Sequence, residues 1–594
     1  MTLSDRSHRS ALLESSFRFF LCVAVLSYVI GFRYLAAYSW PESFPAQIYV
    51  MTAFLGHIAL LSLIPWFVIV LPLAVVWPSR RWVRAMCIAL GAAVLGFFHV
   101  DSLVFSADRF HLSALSLRVL GTPTWLFAAA SFAIAVAACF FMLRLTHRRG
   151  VWSRVSSSLI FSLVVGACLL TSQVVHAWAD VRYYVPITSF TPYLPLYKPL
   201  TSKRLLTRWI GSVDLAESRQ AVAIDRLGEV QTGVLDYPRE PLVCTPSERP
   251  ANVLIIGLDA MRADAVDSRI APSIARFAEQ AQRFGSHWSG GNGTRPGLFS
   301  LFYGIPATYW SAFYAAQRAP VLIETFQRHG YAMSIFPSNP ADRLVGLDRT
   351  AFRTIPDLPT TSGDEAVTQG WQRWLENRDP THPFFGFLFY ESAPGGCLPE
   401  HPRVSDVEIS DSSDEGRRAC YETALHFADS QVGKVLEHLG ASGLMESTVV
   451  IVTSDHGEEF NENGLGFRGH GSGYSRYQLH VPMLVRWPGR SPTMFTHRTS
   501  HNDLAPTLLG EVLGCSTPAQ AYSSGRSLFA EEDWPWLVAA SYTSHAILEP
   551  SRITVTYGAY YEVRDAEYRL LDDPAYDVDV LRAAMRETTR FIRK

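Results

Sequence analysis

At 594 residues the chain exceeds one ordinary domain, and with a net charge of −2 and 18% charged residues nothing points to nucleic acid. Its composition is split: the first third is apolar and nearly free of acidic residues, and the remainder reads as a water-soluble protein. The two parts therefore call for different folds.

Five apolar stretches reach the roughly 20 residues that a helix needs to cross a bilayer: 17–37, 48–77, 85–105, 123–143 and 159–178. The second is long and holds Pro65 and Pro72, which predicts a kink or strong tilt inside one span, because no polar turn divides it. Arginine placement sets the expected orientation. Arg6, Arg9 and Arg18 precede the first span, Arg80, Arg81 and Arg84 follow the second, and Arg144, Arg148, Arg149 and Arg154 follow the fourth. The alternate loops hold none, or only Arg109 and Arg118. The N-terminus is thus expected in the cytoplasm and everything after Trp178 outside. The first stretch is too long for a cleaved signal peptide and lacks a convincing small-residue cleavage site. His99 and Asp101 lie near the outer end of the third span. Intramembrane ionisable groups are functional candidates, and snorkelling to the interface accounts for these two equally well.

From 181 to 250 the chain reads as a join between the two parts. Residues 183–199 are dense in Pro and aromatics, which predicts an extended segment at the membrane interface. The stretch 201–210 (TSKRLLTRWI) sets Lys203, Arg204 and Arg208 beside Leu205, Leu206, Trp209 and Ile210. A short helix there has an apolar face for the bilayer and cations at headgroup height, a candidate site for the phosphates of an anionic lipid. A solvated basic connector fits the same residues.

Cys22, Cys87, Cys139 and Cys168 fall within the spans and read as small apolar packing residues. Cys244, Cys397, Cys420 and Cys515 fall in the exported part, an even number suited to an oxidising compartment. Three pairings are open. Cys397 with Cys420 is the expected one, since it staples an acidic, Ser-rich loop.

In the soluble part, 252–264 (NVLIIGLDAMRAD) and 448–460 (TVVIVTSDHGEEF) are each an apolar run that stops at an acidic residue. Such runs suit strands buried on both faces of a parallel sheet, whose carboxyl ends gather ligands. Asp259, Asp455 and His456 are thereby predicted to meet at one sheet edge, with side chains that suit a divalent cation. Singly, Asp259 reads as a helix cap and His456 as a turn residue; two strands ending this way argue for a shared site. Between them, 289–306 (SGGNGTRPGLFSLFYGIP) allows close backbone approach at its glycines and places Thr294 before Arg295 and Pro296. Thr294 reads as an N-cap. It also reads as a nucleophile, because a helix start favours an anion and a neighbouring metal acidifies a hydroxyl.

In this order Asp259, TRPG, SDHGEE, HVPMLVRWPG (480–489), HNDLAPTLLGEVLG (501–514) and GRSLF (525–529) resemble the alkaline phosphatase and sulfatase superfamily. The resemblance implies an α/β domain with a mostly parallel central sheet over 251–540, continued to 594, behind a five-helix transmembrane domain at 1–180. It also implies one divalent cation (Mg, Mn or Zn) held by Asp259, Thr294, Asp455 and His456, Thr294 as nucleophile, and His470 and Arg295 on the substrate side. The spans, the basic join and SGGNGTRPGLFSLFYGI further resemble the YejM (PbgA) family of Gram-negative inner-membrane proteins, associated with control of lipopolysaccharide synthesis. Lipoteichoic acid synthases and phosphoethanolamine transferases share the five-span plan and the Thr nucleophile. Implied partners are anionic lipids (lipopolysaccharide, its lipid A, cardiolipin) at Lys203, Arg204 and Arg208, and a membrane-protein regulator of lipid A synthesis.

Two departures matter. Sulfatases form an aldehyde from Cys or Ser in a C/S-x-P-S/A-R pattern; here Thr294 cannot form it, and Leu298 stands where the Arg belongs. Active transferases carry a substrate-binding His after the strand that resembles 383–390, whereas this chain continues Glu391-Ser392-Ala393. Two functions follow: a periplasmic metal-dependent phosphatase or phospho-group transferase, and a membrane-anchored lipid regulator with weak phosphatase activity.

Overall fold

The computed structural model describes residues 3–592 except 38–39, 42, 109–110, 120–121, 147–154, 182–186, 188–189, 191–192, 201–234, 246–249, 340–342, 356–357, 360–361, 394–397, 399–400, 411, 543, 558–560, 573 and 575–576. The chain divides into two units: Met1–Leu235 with Ile592–Lys594, and Asp236–Phe591. The C-terminal stretch after 540, expected as a continuation, belongs to the second unit.

The first unit is helical: α1 (Leu3–Ala36), α2 (Phe44–Pro65), α3 (Leu71–Val76), α4 (Arg80–Asp108), α5 (Ala114–Val119), α6 (Thr122–Thr146) and α7 (Val155–Val181). Among the described residues, five helical segments are long and apolar enough to cross a membrane, and they coincide with the five predicted stretches. The prolines of the second flank a change of helix type. Between α2 and α3, residues Trp66–Val70 form a π turn, in which the Leu71 N–H bonds Trp66 O. Proline removes a backbone donor and crowds the preceding turn, and widening one turn relieves both while the span continues. Asp101 does not snorkel. It is fully buried in α4 and accepts hydrogen bonds from Tyr34 Oη (2.6 Å) and the Leu112 N–H (2.6 Å), with His111 Nδ1 at 2.8 Å. His99, by contrast, is half-buried beside Arg33. The aromatic stretch after α7 also differs from a surface segment. Ile187, Phe190, Leu194 and Tyr197 are buried, and His57 Nε2 donates to Pro195 O at 2.8 Å. These rings and aliphatic groups find more apolar contact inside the bundle than at an interface.

The second unit is built on β1 (Asn252–Leu258), β2 (Gln282–Trp288), β3 (Ala332–Pro337), β4 (Phe384–Tyr390), β5 (Thr448–Ser454), β6 (Glu459–Phe460), β7 (Arg468–Gly469), β8 (Met483–Arg486) and β9 (Thr493–Ser500). Seven of these make one sheet, in the order β3-β4-β1-β5-β8-β2-β9; β6 and β7 pair separately. β1 runs parallel to β4 and β5 and is buried along its whole length, as its unbroken apolar run predicts. Each of its aliphatic side chains contributes about 1.5–3 kcal/mol of burial. Leu254 and Ile256 pack with Leu425 and Val432 of helix Asp414–Ala441 on one face. On the other face of the sheet, Phe302 of helix Thr294–Tyr303 meets Phe387 at 4.9 Å. β8 is the antiparallel exception, reversed against both β5 and β2. A second sheet, β10 (Leu537–Ala540), β11 (His545–Leu548), β12 (Arg552–Thr556) and β13 (Tyr561–Asp565), is an antiparallel meander.

Cys244 and Cys515 are disulfide-bonded, the pairing that Cys397 with Cys420 leaves over. Cys420 is disulfide-bonded as well, and Cys397 lies outside the described residues. Cys22, Cys87, Cys139 and Cys168 are free thiols.

Helix Thr294–Tyr303 lies against the turn after β5. A Cβ added at Gly297 would stand 2.1 Å from Asp455 O, a backbone atom that cannot swing away. Gly297→Ala should therefore destabilise the second unit by about 1–3 kcal/mol, and should lift Thr294 off its neighbours. Thermal unfolding and metal titration of the full-length variant check both effects.

Candidate metal and phosphoryl-transfer site

The register that pairs Leu258 with Ser454 places the next residues, Asp259 and Asp455, side by side at the carboxyl edge of the sheet. The backbone then fixes Asp455. The N–H groups of Ala260 (3.1 Å) and His456 (2.9 Å) both donate to its Oδ1. Ala260 adopts a left-handed φ of 62° to present its N–H, strain held in place by the strands on either side. Ser454 Oγ accepts from the Met261 N–H at 2.8 Å and closes the same turn.

His456 is fully buried, and its Nδ1 lies 2.9 Å from Gly457 O. A carbonyl only accepts, so Nδ1 carries the proton and Nε2 presents a lone pair. That Nε2 lies 3.3 Å from Asp259 Oδ1, 3.3 Å from Asp455 Oδ2 and 3.3 Å from Thr294 Oγ1. Asp259 Oδ1 and Asp455 Oδ2 are buried with no hydrogen-bond partner among the described residues. Two orphaned carboxylate oxygens, an imidazole lone pair and a hydroxyl aimed at one another suit a small divalent cation. Electrostatics agree. Burial, then the charge of Asp455, pushes Asp259 well above the usual carboxylate range; burial pushes Asp455 up to about 6. Burial, then His470, drives His456 down to about 3, the neutral form that a metal needs.

Thr294 differs from the N-cap expectation. Gly293 occupies the cap position, Thr294 is the first helical residue, and its hydroxyl turns to His456 instead of capping. The glycines permit this: a Cβ on Gly291 would meet Pro296 at 2.5 Å. His470, the predicted substrate-side residue, lies with its ring centre 4.3 Å from that of His456, tilted by 39°. Burial works against its proton, but a 2.9 Å contact with Glu458 and that charge outweigh it, and the His470 pKa is raised. Arg295 points elsewhere, its Nε donating to Val345 O at 3.0 Å. The lipid-site residues Lys203, Arg204 and Arg208 lie outside the described residues.

Glu458, in the SDHGEE motif, forms with His456 and His470 a second group whose donor atoms lie within 4.8 Å of one another. His501 is a further buried neighbour, its Nδ1 3.2 Å from Gly297 O, and burial holds it near 4. Nothing in HNDLAP announces that placement. His480 bonds Gly285 O and His426 bonds Ile270 O, which leaves both supporting the scaffold.

Comparison with known proteins follows the same division. Residues 251–514 match the Sulfatase family, and residues 3–244 match a family described as Domain of unknown function (DUF3413). Over 586 residues the chain is 26% identical to Inner membrane protein YejM of Salmonella typhi, covering 96% of this chain and 95% of that protein. Among solved structures, a protein of the alkaline phosphatase superfamily from Vibrio parahaemolyticus aligns with TM-score 0.45 at 15% identity, over 59% of this chain and 88% of that one. The lipoteichoic acid synthase LtaP from Listeria monocytogenes aligns with TM-score 0.43 at 14% identity, over 59% and 94%.

The full-length protein should bind one divalent cation, and Asp455→Ala/His456→Ala should abolish binding in calorimetry. Protons compete for the same carboxylates, whose pKa values are raised. Affinity should therefore be complete above about pH 7 and fall steadily as the pH drops through 6. An affinity flat from pH 8 to pH 5 would exclude Asp455 as a ligand.

Proposed function

Taking as premise that this chain is related along nearly its whole length to the YejM inner membrane proteins and carries a sulfatase-family domain, we propose that it is an inner-membrane regulator of lipopolysaccharide synthesis whose second unit has weak, metal-dependent phosphatase activity. The convergence of Asp259, Asp455, His456 and the Thr294 hydroxyl carries the chemical part.

A bound cation would supply positive charge to a phosphoryl oxygen and acidify the hydroxyl beside it. Thr294 Oγ1 gives up its proton to solvent and forms a bond to phosphorus as the bond to the leaving oxygen breaks, and His470, protonated beside Glu458, gives that oxygen a proton and regains one from solvent. Water then displaces Thr294, returning its proton and releasing phosphate. His456 keeps its Nδ1 proton on Gly457 O throughout, so its lone pair stays directed at the site. Thr294 cannot form the aldehyde of sulfate-ester hydrolysis. Glu391 follows β4 where a headgroup-binding His is expected, which favours slow hydrolysis over efficient transfer. A phosphoethanolamine- or phosphoglycerol-type transferase remains the second reading, supported by the intact nucleophile and ligand set.

The regulatory part rests on the likeness to YejM and on the basic join. Lys203, Arg204 and Arg208 at headgroup height each gain about 1 kcal/mol from an anionic surface, and lipid A offers clustered phosphates. The N-terminus in the cytoplasm and the second unit in the periplasm follow from the arginine distribution and suit a disulfide-bonded domain. A membrane-protein regulator of lipid A synthesis is the proposed partner.

Thr294→Ala should remove hydrolysis of 4-nitrophenyl phosphate, and 4-nitrophenyl sulfate should not be cleaved by either protein. In a deletion strain, Lys203→Ala/Arg204→Ala/Arg208→Ala should disturb lipopolysaccharide levels more than Thr294→Ala does. A severe defect from Thr294→Ala with a silent triple variant would make the protein primarily an enzyme.

A further inference from the structure

Arg295 sits one residue beyond the nucleophile, yet about 100° further around the helix, so its side chain leaves the metal ligands behind. Its guanidinium lies 5.0 Å over the ring of Trp310 and 5.4 Å over that of Tyr542. Trp310 is backed by Phe299 at 5.8 Å and Tyr314 at 5.3 Å. Tyr542 lies against Gly293, where an added Cβ would meet its ring at 3.1 Å. The third anchor is Val345 O, which accepts from Nε at 3.0 Å. Val345 has a left-handed φ of 51°, a conformation that a β-branched residue adopts only at a cost. Two aromatic faces and a strained carbonyl thus hold one guanidinium at the start of the helix that carries Thr294.

A purely structural arginine uses its terminal nitrogens. Arg262 does so in this same unit, pairing with Asp264 and Glu462 and donating to Glu458 O. Arg295 engages only Nε: among the described residues its terminal amino groups have no hydrogen-bond or carboxylate partner. The donors left over are the planar pair that takes an oxyanion bidentately. Side-chain freedom is already lost, so binding forfeits little further entropy.

Building on the phosphoryl-transfer reading, we propose that Arg295, with Trp310 and Tyr542, is a subsite for a second phosphate on the substrate, so that the natural ligand is a phosphoester bearing two phosphate groups. One phosphate reaches Thr294 and the cation ligands; the other, on the leaving portion, reaches the Arg295 amino groups.

The test uses calorimetry on full-length Thr294→Ala protein in magnesium buffer, so that no turnover is needed. The soluble arm compares glucose 1-phosphate with glucose 1,6-bisphosphate. The membrane arm compares phosphatidylcholine vesicles containing phosphatidylinositol with vesicles containing phosphatidylinositol 4-phosphate. The bisphosphorylated member should bind about tenfold tighter in at least one arm, the gain expected of a charge-assisted contact, and the arm identifies a free or lipid-borne source. Adding Arg295→Gln should erase that preference. Adding Tyr542→Ala, which removes a ring 54% exposed and so spares the fold, should reduce it. Equal affinities in both arms, or a preference that survives Arg295→Gln, overturns the subsite. A wild-type protein that hydrolyses no phosphoester while the preference persists overturns the enzymatic reading and leaves this subsite standing.

Discussion

Two carboxylates forced together without water govern the second unit. The parallel register of β1 and β5 leaves Asp259 and Asp455 no choice of position, and burial removes the solvent that would separate their charges. In a medium of low dielectric this like-charge contact is costly, and protons or a cation must offset it. The surrounding protein supplies donors to only one oxygen of Asp455, and the imidazole that completes the cluster keeps its own proton on Gly457 O. The site is thus arranged for an external positive charge. Its neighbours follow from that constraint, including the Glu458-held His470 on the exposed side.

Mechanical consequences spread outward from the same edge. Thr294 reaches His456 only because Gly297 lets a helix rest on the backbone of Asp455, and because Gly291 lets the loop turn beneath Pro296. Left-handed Ala260 and Val345 each hold backbone strain, one aiming an amide at Asp455 and the other a carbonyl at Arg295. The core beneath is rigid enough to hold it, with β1 buried throughout and aromatic pairs such as Phe302–Phe387 between helix and sheet.

The helical unit solves a different problem, that of polar groups amid apolar surroundings. Asp101 is tied to Tyr34, His111 and a backbone amide from the segment before α5, and His57 to a carbonyl of the chain after α7. The bonds of Tyr34 to Asp101 and of His57 to Pro195 join segments distant in sequence, and all four are stronger where water is scarce. The loops are therefore part of the bundle. The π turn between Pro65 and Pro72 keeps the second span continuous by the same logic, since every backbone group left open must find a partner.

Sequence alone determined what depends on local pattern and length. Runs of about 20 apolar residues defined five spans, unbroken apolar runs ending in Asp defined β1 and β5, and the ordered motifs named Asp259, Thr294, Asp455 and His456, which the structure brings together. Position along the chain could not say which groups would be satisfied from far away. Thr294 looked like a cap until Gly293 took that role, and Asp101 looked able to snorkel until Tyr34 and Leu112 enclosed it. Arg295 reads as one more substrate residue until Trp310, Val345 and Tyr542, brought from three separate segments, fix its direction. Hydrophobic periodicity is written in neighbouring residues, whereas the partner of a buried polar group is chosen by whichever distant segment the packing brings within 3 Å, and only the tertiary structure decides that.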